Sequence, residues 1–193
     1  MNDTIASSFR AIALLCLFLL ASQSVAGHAT PLEAGAPFPD ITLQGQFTSP
    51  QKAMLGLEGD GPFRLSDVKA RHVLIEVFSM YCPHCQREAP DMNRLSARIA
   101  DMQPIGELAL LGLGAGNTQT EVDLFRETYS VPFPLAIDPD LEMHKTLGEP
   151  GTPHFFLVSL RDRGKPVVLL SRTGRMSGVD DFIRELRTLC GSD

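Results

Sequence analysis

One tetrapeptide, Cys82-Pro83-His84-Cys85, constrains this chain more than any other stretch. It lies between an apolar run, His72 to Phe78, and a segment with helical periodicity. Ala89, Met92, Leu95, Ile99 and Met102 recur at steps of three and four, which marks one face of a helix. Two thiols so spaced on the first turn of a helix can close a disulfide and open it again. Only the thiolate attacks, so the first cysteine must ionise near neutral pH. At the start of a helix, the positive end of the dipole favours that ionisation for Cys82. Pro83 suits the first turn, where no backbone donor is lost. His84 can add a positive charge or a hydrogen bond beside the sulfur. Cys85, one turn along and more shielded, reads as the resolving thiol. The competing readings are a permanent Cys82–Cys85 disulfide and half of a metal site. Zinc wants a further pair of Cys or His, and His28, His72, His144 and His154 form no such pattern. A copper-handling role through Met80, His84 and the two thiols stays open.

The run before the motif is apolar from Val73 to Phe78 except at Glu76, so it reads as a central buried strand. Glu76 stands six positions before Cys82. A buried carboxyl has a raised pKa and can exchange protons with a nearby thiol. The alternative is a strand-end carboxylate paired with Arg71 or Lys69. Downstream, Leu108 to Leu113 and Phe133 to Ile137 read as strands. Thr118-x-x-Glu121 is a capping box opening a helix with Val122, Phe125 and Tyr129 on one face. Leu141 to Leu147 is a short helix ended by Gly148. Phe155 to Leu160 and Val167 to Leu170 are strands joined by the turn Arg161-Asp162-Arg163-Gly164. Ser177-x-x-Asp180 opens a last helix. The alternating elements imply a parallel part of the sheet and the hairpin an antiparallel part.

The 193 residues suffice for one domain with a full core, and the net charge of −6 argues against a nucleic-acid surface. Ala11 to Ala21 is apolar, follows Arg10 and precedes a small, polar stretch, which is the layout of a secretory signal. It is too short to span a bilayer comfortably; an uncleaved anchor is the other reading. The expected division is a signal peptide over 1–26, an extension over 27–62 packed on the domain, and a main domain over 63–193. Within the extension, Ile41 to Leu43 is a short strand piece, Met54 to Leu57 is apolar enough to dock, and Gly59-Asp60-Gly61-Pro62 is a turn. Cys16 belongs to the signal. The remaining Cys82, Cys85 and Cys190 are too few for a disulfide framework. Cys190, on the apolar face of the last helix, reads as a small buried hydrophobe, with an intermolecular disulfide as the alternative.

From about Gly35 to Cys190 the chain resembles the thioredoxin superfamily, and within it the TlpA/ResA-like extracytoplasmic thiol–disulfide oxidoreductases. Gly35-x-x-Phe38-Pro39-Asp40-Ile41-x-Leu43 resembles their opening strand, and Phe63 to Val68 the segment before their central strand. Cys82 to Cys85 followed by Glu88-Ala89-Pro90 matches the active-site helix, and Gly151-Thr152-Pro153 the loop facing the disulfide. The resemblance implies an α/β thioredoxin-like fold: a central mixed sheet flanked by helices, with an N-terminal strand extension and an inserted helix–strand unit. It implies a cis Thr152–Pro153 bond that docks the substrate chain, with Tyr81 and Pro83 beside it. It also implies protein thiols and disulfides as substrates, a membrane or periplasmic redox donor or acceptor, and no metal or cofactor beyond the Cys82–Cys85 disulfide. Two departures stand out. Tyr81 replaces the usual tryptophan, and Pro83-His84 is the dipeptide of Dsb-A-type oxidases, where it stabilises the reduced form. The fold therefore favours a reductase, while the dipeptide favours an oxidase or isomerase. A peroxiredoxin would need P-x-x-x-T-x-x-C, which Met80-Tyr81-Cys82 does not complete. A copper-binding chaperone is the non-enzyme rival.

Overall fold

The computed structural model describes residues 29–101, 107–162 and 164–192. The expected signal segment with Cys16, and His28, Met102 and Arg163, lie outside the described residues.

A five-stranded mixed sheet organises the chain, in the order β5-β4-β3-β6-β7. Its centre is β3 (His72–Phe78), buried along its whole length. β4 (Leu108–Ala115) and β5 (Leu135–Asp138) extend the sheet in parallel on one side. β6 (His154–Ser159) and β7 (Val167–Thr173) continue it antiparallel on the other. A strand buried on both faces has no polar side to show, which is why β3 reads as a continuous apolar run. Strand β5 begins at Leu135 and not at Phe133, because Pro132 and Pro134 flank Phe133 and cannot donate to a ladder.

Alternate residues of β3 face two cores. Val73, Ile75 and Val77 join Phe156 and Val158 beneath the N-terminal segment, with Phe38, Leu43, Leu55 and Leu65 packed on them. Leu74 and Phe78 join Phe155 and Leu157 beneath three helices: α2 (Pro83–Ala100), α3 (Gln119–Tyr129) and α5 (Val179–Ser192). The N-terminal segment holds the two-stranded ladder β1 (Thr42–Leu43) and β2 (Phe63–Arg64). It also holds a helix that periodicity did not announce, α1 (Ser49–Leu55). Thr48 and Gln51 close a capping box at its start, and Gly56 ends it. Leu55 and Leu57 dock as expected, while Met54 points to solvent.

Thr118 caps α3 through Glu121, as its spacing predicts. The short helix α4 (Glu142–Thr146) ends towards Gly148, whose φ is +83°. A Cβ there would lie 1.9 Å from the Thr30 carbonyl oxygen, so only glycine lets the N-terminal segment cross at that point. The last helix starts at Val179, two residues beyond Ser177, with Asp180 and Asp181 in its first turn. Both charges suit the positive end of the helix dipole.

Candidate active site

Strand β3 ends at Phe78 and α2 begins at Pro83, so the chain must turn sharply between them. Three hydrogen bonds fasten that turn. Cys82 N–H donates to the Ser79 carbonyl at 3.0 Å. The Gln86 amide donates to the Met80 carbonyl at 2.8 Å, and Met80 N–H donates to buried Asn117 Oδ1 at 2.9 Å. The turn delivers Cys82 to the N-cap of α2 with Pro83 in the first turn, and the helix continues through Pro90.

Cys82 is half-buried, and its Sγ accepts from Cys85 N–H at 3.4 Å. As a thiol it donates to the Thr152 carbonyl at 3.2 Å, across from a cis Thr152–Pro153 bond. Burial alone would raise its pKa. Hydrogen bonding with the Thr152 and Cys85 side chains and with the backbone of Cys85 and His84 outweighs burial, and the thiol sits below its ordinary value. The Thr152 carbonyl pulls the other way, since it can accept only from the protonated form. Cys85 is fully buried. Burial pushes its thiol far up, and its contact with Cys82 and the charges of Glu76 and Cys82 push further.

Leu74, Glu76 and Phe78 alternate onto the sheet face that α2 covers, which brings Glu76 towards both thiols. Glu76 is 3% exposed. Burial, then repulsion from Glu88 and Cys82, lifts its carboxyl to about 8. Arg71, its candidate partner, meets Glu107 instead at 3.3 Å. Glu88 is fully buried too, but it is well partnered. Arg175 Nε donates to Oε2 at 2.5 Å and Met176 N–H donates to Oε1 at 2.9 Å.

The structure gathers Cys82, Cys85, Glu76, Thr152 and Pro153. Pro83 serves as the first residue of α2. Tyr81 is 65% exposed beside Cys82, and its hydroxyl donates to the Glu121 carboxylate. The His84 imidazole is placed differently from expectation. Its Nδ1 accepts from Arg87 Nη2 at 3.0 Å, and only its backbone reaches the Cys82 sulfur. His154 packs on the opposite face of the sheet, where Thr173 and Ser171 hydroxyls lie 2.8 and 3.1 Å from its ring nitrogens. Sequence reasoning missed Asn117, Gln86 and Arg175, and passed over Glu88 as a site residue. Glu88 had a usable signal: three residues after Cys85, it shares that helix face. Arg175 had none, since it arrives from 87 residues away. Among the described residues, no group of three His, Cys, Asp or Glu side chains could hold a metal ion, and no helix is long and apolar enough to cross a membrane.

Known proteins resemble this chain in sequence and in fold. Residues 34–164 match the AhpC/TSA family. The thiol–disulfide oxidoreductase ResA of Bacillus thuringiensis subsp. konkukian is 29% identical over 124 residues, 60% of this chain and 69% of that protein. ResA of Geobacillus thermodenitrificans is 28% identical over 133 residues, 69% of this chain and 71% of the relative. The fold also resembles a putative thiol:disulfide interchange protein DsbE from Chlorobium tepidum. That match has a TM-score of 0.62 at 21% identity, over 82% of this chain and 98% of that one. With a buried dithiol partner behind a helix-capping thiol and the family match over most of its sheet, the chain belongs to the AhpC/TSA family and is a TlpA/ResA-like thiol–disulfide oxidoreductase of the thioredoxin superfamily.

Proposed function

We propose that this chain is an exported oxidoreductase that reduces protein disulfides through Cys82 and Cys85. The observation that carries the reading is an asymmetry between thiols one turn apart. Cys82 is reachable and shifted towards the thiolate, whereas Cys85 is buried and held protonated. The Cys82 thiolate attacks one sulfur of a substrate disulfide. A Cys82–substrate bond forms, the substrate S–S bond breaks, and the departing sulfur leaves as a thiolate. Cys85 then gives its proton to the Glu76 carboxylate and attacks Cys82 Sγ. The enzyme disulfide forms, the second substrate sulfur departs, and two electrons have passed to the substrate. A carboxyl titrating at about 8 offers both of its forms near neutrality. Part of its shift comes from the Cys82 thiolate. That charge vanishes in the mixed disulfide, so Glu76 ionises more readily when Cys85 needs a base.

Thr152 and cis-Pro153 offer the substrate a backbone edge beside the sulfur, flanked by Pro83 and Tyr81. A membrane or periplasmic redox donor restores the dithiol, and no further cofactor is needed because the sulfurs carry the electrons. Residues 1–26 act as the signal peptide, which places the domain outside the cytoplasm.

The lowered Cys82 thiol and the Pro83-His84 dipeptide favour a second reading, a Dsb-A-type oxidase, because a stabilised thiolate stabilises the reduced form. The reduction potential of the Cys82–Cys85 pair separates the two. A value near about −270 mV supports the reductase and one near about −120 mV the oxidase. Cys82→Ser abolishes exchange, and Cys85→Ser accumulates mixed disulfides with substrate. Undiminished exchange by Cys82→Ser would sink both readings.

A further inference from the structure

The loop that faces Cys82 runs from Leu147 to Pro153, between α4 and β6. Two of its residues, Pro150 and Pro153, have no N–H with which to anchor it. Its far end is pinned where Gly174 N–H donates to the Pro153 carbonyl at 2.8 Å. Its near end turns through Glu149, a non-glycine residue at φ +53°. A side chain disfavours that conformation, which persists only where neighbours enforce it.

His144 enforces it twice. Its carbonyl accepts from Glu149 N–H at 2.9 Å. Its ring then reaches past Glu149 to the carbonyl of buried Pro150, with Nε2 at 2.8 Å. A carbonyl can only accept, so Nε2 carries a proton and donates it. His144 is itself fixed from the sheet. Asp138, buried at the end of β5, accepts from the N–H groups of Met143 and His144 at 3.1 and 2.8 Å. A continuous path therefore runs from the sheet through Asp138 and His144 to Pro150. Two residues further on is Thr152, whose carbonyl receives the Cys82 thiol at 3.2 Å.

We infer that His144 is a positioning residue, whose ring N–H holds the Pro150 carbonyl and so fixes the Thr152–Pro153 edge beside the Cys82 sulfur. The inference rests on reading that edge as the place where a substrate chain docks. It adds that His144, bonded to the loop and not to the sulfur, sets how well the edge is preformed. A preordered edge has less freedom to lose when a chain lies along it. The sulfur is aimed separately, by the turn before α2 that Asn117 and Gln86 fasten.

Release of thionitrobenzoate by the reduced, full-length protein tests this with two reagents. One is an extended peptide carrying a cysteine–thionitrobenzoate disulfide; the other is cysteine–thionitrobenzoate alone. With either, the Cys82 thiolate attacks the cysteine sulfur, a Cys82–cysteine disulfide forms, and the chromophore departs as a thiolate. The wild type half-saturates at a lower concentration of the peptide than of the small reagent. In His144→Phe, which lacks the donor, the peptide value should rise roughly five- to ten-fold with the maximal rate held, while the small reagent changes by less than about two-fold. His144→Gln, whose amide N–H can stand in for Nε2, restores the wild-type value. If His144→Phe does not fold, His144→Asn, with an amide too short to reach, takes its place. Nitrogen-15 NMR of the wild-type ring in mildly alkaline buffer shows a proton on Nε2. Equal loss with both reagents marks a merely structural role and overturns the inference. So does an unchanged peptide value in His144→Phe, a lack of recovery in His144→Gln, or an Nε2 without a proton. If instead the wild type itself does not favour the peptide, the docking reading fails and the inference falls with it.

Discussion

The two faces of the central sheet are built from the same strands and treat buried polarity in opposite ways. Beneath the N-terminal segment, β3, β4 and β6 supply Val73, Ile75, Val77, Leu111, Leu113, Phe156 and Val158. The polar groups on that face are satisfied: His154 by two hydroxyls, and Asp138 by the backbone N–H groups of Met143 and His144. Beneath α2 the same strands bury Glu76, a carboxyl whose surroundings only raise its pKa, against Cys85. A shift of one residue along β3 separates the two environments, since alternate side chains change face. A satisfied buried polar group serves the fold. One whose charged form is opposed by burial and like charges costs stability and holds a proton that chemistry can use.

The largest effect is expected on the apolar face. Phe156→Ala removes a fully buried ring and costs about 3–5 kcal/mol. Urea unfolding should show the same loss at acid and alkaline pH, with the alkylation profile of Cys82 unmoved. A shift of that profile would break the separation of the faces. Glu76→Gln should do the reverse. The folded carboxyl titrates at about 8 against 4.5 for its ordinary value. Between those limits the native protein keeps a proton that the unfolded chain has lost, so wild-type stability falls as pH rises from 4.5 through 8. Gln removes that slope. With each pKa unit worth about 1.4 kcal/mol, the variant should gain on the order of 3 kcal/mol over wild type near neutrality and little at the acid end of that range. Denaturation midpoints across pH measure it; parallel curves for the two proteins would show that Glu76 carries no such burden. The same variant should resolve mixed disulfides on the order of 100-fold more slowly.

Much of this was legible locally. The apolar stretch around Glu76, the steps of three and four after Cys85, and the Thr118 capping box each act within a few residues, so the sequence carries them openly. The chain reversal at Gly148 was legible for the same reason, although its tight fit against Thr30 was not. Helix α1 escaped notice because only Gln51 and Leu55 of its seven residues are buried, which leaves no apolar stripe to read. The His84 imidazole was misplaced because a side chain on the first helical turn can choose between the sulfur behind it and Arg87 one turn on. The charge arrangement of the site depends on Arg175 reaching Glu88 across the fold, and no local pattern encodes that contact.

Between the two faces lies the turn that presents Cys82, and Asn117 tests how tightly it is held. Asn117→Ala strands the Met80 N–H, because its acceptor at 2.9 Å is gone. The expected cost is about 1–2 kcal/mol. Since that turn aims the sulfur, Cys82 alkylation should slow or speed with it, in contrast to Phe156→Ala. An unchanged rate would mean that the Gln86 and Ser79 bonds suffice to fix the turn.

Tyr81 is the smallest case and the sharpest about substrate. Its hydroxyl bond to Glu121 is solvent-exposed, so Tyr81→Phe should leave the unfolding midpoint essentially unchanged. The bond holds the ring upright beside Cys82 without touching the sulfur, so alkylation by a small reagent should be unaffected. In the proposed docking mode a protein substrate is different, because it lies against the ring on its way to the thiol. Freeing the ring adds an ordering cost to each encounter, and KM for a protein disulfide should rise by roughly two- to five-fold with kcat held. Equal loss with small and protein disulfides would place Tyr81 in the chemistry of the sulfur itself. No loss with either would leave substrate contact to Thr152, Pro153 and Pro83 alone.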